Sequence, residues 1–436
     1  MSSPRILRSS ISRRGMLQGT ALAGAGLATT RLPFGRGASA ATNLSVLSPL
    51  APDPAPPGVA EFSEEAFAAW LTENDAAVNY EAVAWPQLHD KMATNFASGS
   101  YVHDVIYMSG WVPEFSEFLT PIGDLISPEL KADLPDSSFS TVTWDGGVYG
   151  VVFTLSLLTL YYNTEHLQNA GISAPPATWD ELKGYAKELT KDGQYGWVLN
   201  YGAPEGIGGT ASYWMTFLQQ AGGKMYGEDG LPVFNDAPGV DALQLMIDLM
   251  PYTDPSSISN VGIVDATNVL KAGTASMMMN WPFMWNEAQN EETSLIVGKL
   301  GSAILPAGPA GSASIDGTDA WTITRNSPNP ELAMKLIEFY LSKDVQKRQV
   351  LDTGWLPIRL SALQDSEVQT AASNAAVVLD QATHPYESFV TPDYNAVTQT
   401  LGTEVQKALQ GEKTAAEALK DASDAVTEIV NKRLNG

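Results

Sequence analysis

Apolar positions after residue 40 recur with two different periods. Short apolar runs at Leu44–Leu47, Ala77–Ala84 and Val102–Met108 have the length of strands. The segments between them, Ala60–Leu71 and Leu88–Phe96, carry their apolar residues at helical spacing. Such alternation predicts an α/β fold with a mostly parallel sheet covered by helices. Further along, Thr178-Trp179-Asp180-Glu181 reads as a capping box, in which hydroxyl and carboxylate satisfy the orphan amides of a helix start. Leu182, Tyr185, Ala186 and Leu189 then fall on one stripe. Asn329-Pro330 opens another helix, with Leu332, Leu336, Ile337, Tyr340 and Leu341 on its apolar face. Thr414–Glu417 caps the last one, which buries Leu419, Ala422, Val426, Ile429 and Val430.

The first forty residues do not fit this alternation. They hold six arginines and no acid. Ser12-Arg13-Arg14-Gly15-Met16-Leu17 reads as a twin-arginine signal, followed by a weakly apolar run from Gly19 to Ala28 and a small-x-small cleavage site at Ala38-Ser39-Ala40. That run is too short and too glycine-rich to span a bilayer, which takes about 20 apolar residues. The expectation is a soluble exported protein in the periplasm. With no cysteine anywhere in the chain, neither disulfides nor a lipid-bearing cysteine at the cleavage site are expected.

Charge narrows the function. Against 49 acidic residues stand 25 basic ones, six of them in the leader, and the whole chain carries a net charge of −24. Such an acidic protein is not expected to bind nucleic acid or an anionic membrane surface. The chain beyond residue 40 is too long for one core and predicts two domains. Only Ala51–Pro57, rich in proline and alanine, reads as an irregular insertion. The four histidines, His89, His103, His166 and His384, lack the spacing of a zinc helix, and no nucleophile elbow or Walker loop occurs. Neither a metal nor another cofactor is expected. Paired carboxylates for glycoside cleavage remain open at this level, because 49 acids allow many pairs.

Several stretches, in order, carry a resemblance. They are His103-Asp104-Val105-Ile106, Leu160-Tyr161-Tyr162-Asn163 with Ala170-Gly171, Pro175–Leu182, Ala221-Gly222-Gly223 and Lys271–Met279 with Asn280-Trp281-Pro282. Ile323 with the helix after Pro330, Gly354–Arg359 and Gly411–Leu419 complete the set. Together they make the chain similar to the solute-binding proteins of sugar ABC importers, the group that includes maltose-binding protein. The resemblance implies two α/β lobes joined by a hinge that the chain crosses three times, near Val152–Leu157, Ile315–Ala320 and Gly354–Leu360. One lobe would comprise residues 41–153 and 317–356, and the other 154–316 and 357–436. It further implies a monomer that captures a small carbohydrate in the interlobe cleft and delivers it to permease subunits. A ligand-sensing receptor and an exported carbohydrate-active enzyme are the alternatives, though the resemblance points away from an enzyme.

In such a fold the cleft is lined by strand ends and by the crossings. Ser48 follows the first strand, and Gln87 and Asp90 open the second helix, where they can exchange hydrogen bonds with ligand hydroxyls. Ser109 and Trp111 end the third strand, where the family often presents an acid. Thr154 and Ser156 place two hydroxyls on one face of the first crossing. Gly209 and Thr210 precede a helix whose amides can hold an oxygen-rich group. Trp281 offers a ring on which a sugar face stacks. At the second crossing, the Asp319 carboxylate can accept two adjacent hydroxyls. Arg359, at the third, is suited to vicinal hydroxyls or more strongly to an anion, which opens an acidic sugar as ligand; interlobe pairing with Asp319 is its alternative role.

Overall fold

Why the chain makes two main sheets follows from how its strands are connected. The computed structural model describes residues 41–49, 64–83, 85–99, 102–203, 209–260, 263–317, 319–387 and 389–435. The leader expected over residues 1–40 and the irregular stretch Ala51–Pro57 lie outside the described residues. The main strands are β1 (Thr42–Ser48), β2 (Ala76–Ala82), β3 (Val105–Met108), β4 (Gly150–Val152), β5 (Thr159–Asn163), β6 (Tyr195–Trp197), β7 (Ala275–Asn280), β8 (Leu300–Ala303) and β9 (Ala320–Ile323). They form a five-stranded sheet of order β2-β1-β3-β9-β4 and a four-stranded sheet of order β8-β5-β7-β6.

Both sheets are mixed, and the physical reason is the crossing. β1 pairs parallel with β2 and β3, whereas β9 is antiparallel to β3 and to β4. β4 therefore runs in the direction of β3. β9 arrives from the second sheet, so it enters at the end where β3 and β4 leave. In the second sheet β5 is the arriving strand, antiparallel to β8 and β7, while β6 and β7 are parallel. The expected parallel sheet thus acquires one reversed strand per lobe, and the departing strand ends of both lobes point at the seam between them.

Helices cover each sheet. Glu64–Glu73 and Trp85–Ala97 stand where helical spacing predicts them. At Trp179–Leu189 the Thr178 hydroxyl accepts from the Glu181 amide at 3.3 Å, and Glu181 reaches back to the Ala177 amide at 2.7 Å. The box at Thr414 closes on itself, with the Thr414 amide donating to Glu417 at 2.9 Å. Each such cap contributes about 1 kcal/mol. Two apolar cores result, one around Leu44, Leu47, Tyr107, Trp321 and Ile337, the other around Trp197, Trp214, Phe217, Met278 and Leu401. Each fully buried leucine or phenylalanine there contributes about 1.5–3 kcal/mol. Among the described residues no helix is long and apolar enough to cross a membrane.

The crossings lie side by side. Leu155 donates its amide to Leu356 O at 3.1 Å, Gly317 donates to Ser156 O at 2.9 Å, and Phe153 donates to Asp319 O at 3.1 Å. Beyond Arg359, however, the chain stays with the first core, in which Leu363, Val368 and Ala372 are buried. Asp133 holds it there, accepting from the Ser361 amide at 2.7 Å and from Arg359 Nε at 2.6 Å. Asn374 then donates to the Tyr161 hydroxyl at 2.8 Å and Gln381 accepts from the Leu305 amide at 2.8 Å, while helix Tyr394–Leu409 runs from a first residue buried in the first core to Val397, Leu401 and Val405 buried in the second.

Candidate ligand-binding cleft

The seam is built where β3 ends and β9 begins. Ala320 pairs with Met108, so Asp319 comes opposite Ser109. The Asp319 carboxyl is half-buried, and burial pushes its pKa from 3.8 up to about 7, against the pull of the Tyr107 and Ser109 hydroxyls and with a further push from Asp316. The Ser109 hydroxyl faces this carboxyl, is itself 4 % exposed, and completes no hydrogen bond of standard geometry.

Next to it, the start of the helix that enters the second core packs on the first. Trp111 Nε1 donates to Asn395 Oδ1 at 3.0 Å. Tyr394 packs on Gly110, where a Cβ would stand 3.3 Å from its Cε2. The Trp111 ring also meets His89 edge-on at 5.4 Å between centroids, and His89 Nε2 sits 2.9 Å from Glu114 Oε2. Burial alone would lower the His89 pKa, but the hydrogen bond and charge of Glu114 outweigh it and hold the group above its ordinary value.

Trp281 follows β7 and is buried in the second core. Its amide is fixed by Asn280 Oδ1 at 2.8 Å. The crossing passes so close to the indole that a Cβ on Gly317 would lie 2.5 Å from ring atoms. Gly317 is therefore required for close approach. Through it Trp281 joins Ser156 and Asp319 at the hinge.

The remaining sequence candidates stand apart from this cluster or are already engaged. Arg359 donates to Asp133 at 2.6 Å and to Leu341 O at 3.2 Å, and its Nη2 is 3.6 Å from Glu129. It pairs within its own lobe, neither with Asp319 nor toward the seam, so the anion reading loses its cation. Thr154 Oγ1 donates to Leu356 O at 2.9 Å and serves the hinge. The Thr210 hydroxyl is given to Tyr201 O and Ala203 O, and its amide to Ala203 O at 2.8 Å, so this helix start is satisfied locally. Gly209 caps the same turn, its carbonyl accepting from Ser212. Gln87 is exposed, and the Asp90 side chain is 91 % exposed toward solvent. Ser48 is buried, with its carbonyl accepting from Val83. Sequence reasoning missed Tyr107, Tyr394 and Asn395. The first is hidden in an apolar strand, and the others reach the seam only through a contact with no local signature.

Comparisons with known proteins agree with this architecture. The maltose-bound MalE3 of T. maritima superposes with a TM-score of 0.78 at 26 % identity, covering 89 % of this chain and all of that one. A solute-binding protein of Thermotoga lettingae with bound α-D-tagatose gives 0.75 at 26 % identity, covering 89 % of this chain and 99 % of the other. A Deinococcus radiodurans protein named as a probable ABC transporter-binding protein is 27 % identical over 321 residues, 70 % of this chain and 75 % of its own. The sequence profile of the bacterial extracellular solute-binding proteins matches residues 55–347, well over half the chain, and the protein belongs to that family.

Proposed function

We propose that this protein captures a small carbohydrate in the seam between its lobes and hands it to the permease of an ABC importer. The observation that carries this reading is the convergence of Ser109, Trp111 and Asp319 of one lobe with the start of helix Tyr394–Leu409, whose body is buried in the other. The sugar-bound structures and the transporter-associated relative support it. A ligand that touches both lobes only when they are closed stabilises closure by its differential affinity, and periplasmic binding proteins are a standard instance of such hinge motion. Binding rather than catalysis is the task. The protein acts as a monomer in the periplasm, exported through its twin-arginine leader. One lobe comprises residues 41–153 with the return segment from 317 to about 372, which extends the sequence expectation past residue 356. In this reading Ser109 and Asp319 accept and donate to ligand hydroxyls, Ser156 lines the hinge side, and Trp281 presents its free edge to the sugar.

The test is titration with maltose, tagatose and a panel of mono- and disaccharides, following tryptophan fluorescence and melting temperature. A ligand with a Kd of about 1 μM contributes roughly −8 kcal/mol, and at a hundredfold excess it stabilises the fold by about 2.7 kcal/mol. A sugar recovered unchanged, with a raised melting temperature, is the expected result. Hydrolysis of the sugar, or a panel without any response, overturns the reading.

A further inference from the structure

The Asp319–Ser109 corner has an electrostatic gap. The groups that act on the Asp319 carboxyl are the Tyr107 hydroxyl, the Ser109 hydroxyl and a second acid, Asp316, while Tyr394, packed on Gly110, feels the same negative charge. None of these is a cation. Arg359, the basic residue at the third crossing, is tied to Asp133, Glu129 and Leu341 O. A half-buried carboxyl beside another acid is costly to ionise without a counter-charge. The buried Ser109 oxygen meanwhile faces that carboxyl without completing a hydrogen bond of standard geometry.

We propose that this corner receives a protonated amine of the ligand, so that the captured carbohydrate is an amino sugar. An ammonium carries three donors, enough for both Asp319 oxygens and the Ser109 oxygen, whereas a hydroxyl carries one. It also supplies the charge that Asp316 makes more favourable. An acidic sugar meets repulsion from both carboxyls. The assignment rests on the seam being a carbohydrate cleft.

Calorimetric titration of the purified protein with matched sugars tests it. Glucose, galactose and mannose are each compared with their amino and acetamido counterparts at neutral pH. The amino member of at least one series is expected to bind about tenfold or more tighter than its hydroxyl and acetamido partners. Asp319→Asn, checked for folding by its melting curve, is expected to bring the three to equal affinity. Hydroxyl members that bind as well as or better than the amines in every series overturn the proposal, as does binding of maltose or tagatose with no response to any amine. If no carbohydrate binds at all, the cleft reading falls as well.

Discussion

Trp111 and Asn395, 284 residues apart in the chain, are joined by an indole-to-amide hydrogen bond of 3.0 Å across the seam between the lobes. Trp111 is buried in the first core, and Asn395 opens the helix whose body is buried in the second. The bond therefore ties the first turn of that helix to the first core at the point where the chain passes to the second.

Asn395→Ala removes this bond while leaving its helix intact. The loss of about 1 kcal/mol shifts an open–closed equilibrium roughly fivefold toward open. Small-angle scattering of the ligand-free variant should report a larger radius of gyration than the parent. An unchanged radius would show that the bond does not govern closure.

Gly317→Ala places a methyl where the Trp281 ring already stands, at 2.5 Å. Either the ring or the crossing strand must shift, and overpacking of this kind costs about 1–3 kcal/mol. The expected readout is a lower denaturation midpoint with altered tryptophan fluorescence. Parent-like values for both would mean that the contact relaxes without cost.

Asp319 gives stability a pH dependence of definite sign. Its folded pKa of about 7 lies above the ordinary 3.8, so between the two values the folded state holds a proton that the unfolded state has released. Stability therefore falls as pH rises from about 4 to about 7, then changes no further on this account. Thermal melts across that window should show a slope that Asp319→Asn flattens; a variant retaining the full slope would point to another group.

Arg359→Ala should act on the fold and not on the ligand. It removes a charge-assisted bond to Asp133, worth about 1.5–3 kcal/mol. The Asp133 carboxyl is slightly buried, which opposes ionisation, yet Ser361 and Arg359 hold it below its ordinary value. Their support is present above the unfolded pKa and is lost as pH falls through the folded one. Chemical denaturation should show the loss at neutral pH, shrinking in acid. A selective loss of affinity for an anionic sugar, with unchanged stability, would return Arg359 to the cleft.

Much of the fold was legible because its signals are local. β1 and the capping boxes at Thr178 and Thr414 declare themselves within a few residues, through alternation or through a hydroxyl and a carboxylate three positions apart. The reversal of β9 and β5 was not legible, since strand direction depends on which lobe the chain comes from. The cleft was half legible. Asp319 and Ser109 could be placed by strand ends, but the commitment of Arg359 to Asp133, 226 residues away, is invisible in spacing. Thr154 and Thr210 show a related limit of spacing: their hydroxyls donate to neighbouring carbonyls, and a hydroxyl looks the same in sequence whether it faces a ligand or a carbonyl.

The position of β9 has a consequence for how the protein is made. β9 lies between β3 and β4, both of which leave the ribosome long before it. Until it arrives, those two strands have no partner on their facing edges, and the first lobe cannot close its sheet. Non-local pairing of this kind slows folding and leaves open edges prone to aggregation. A nascent chain of this protein therefore needs shelter until nearly its full length has been synthesised, and a truncation that ends before Ala320 should yield no stable first lobe.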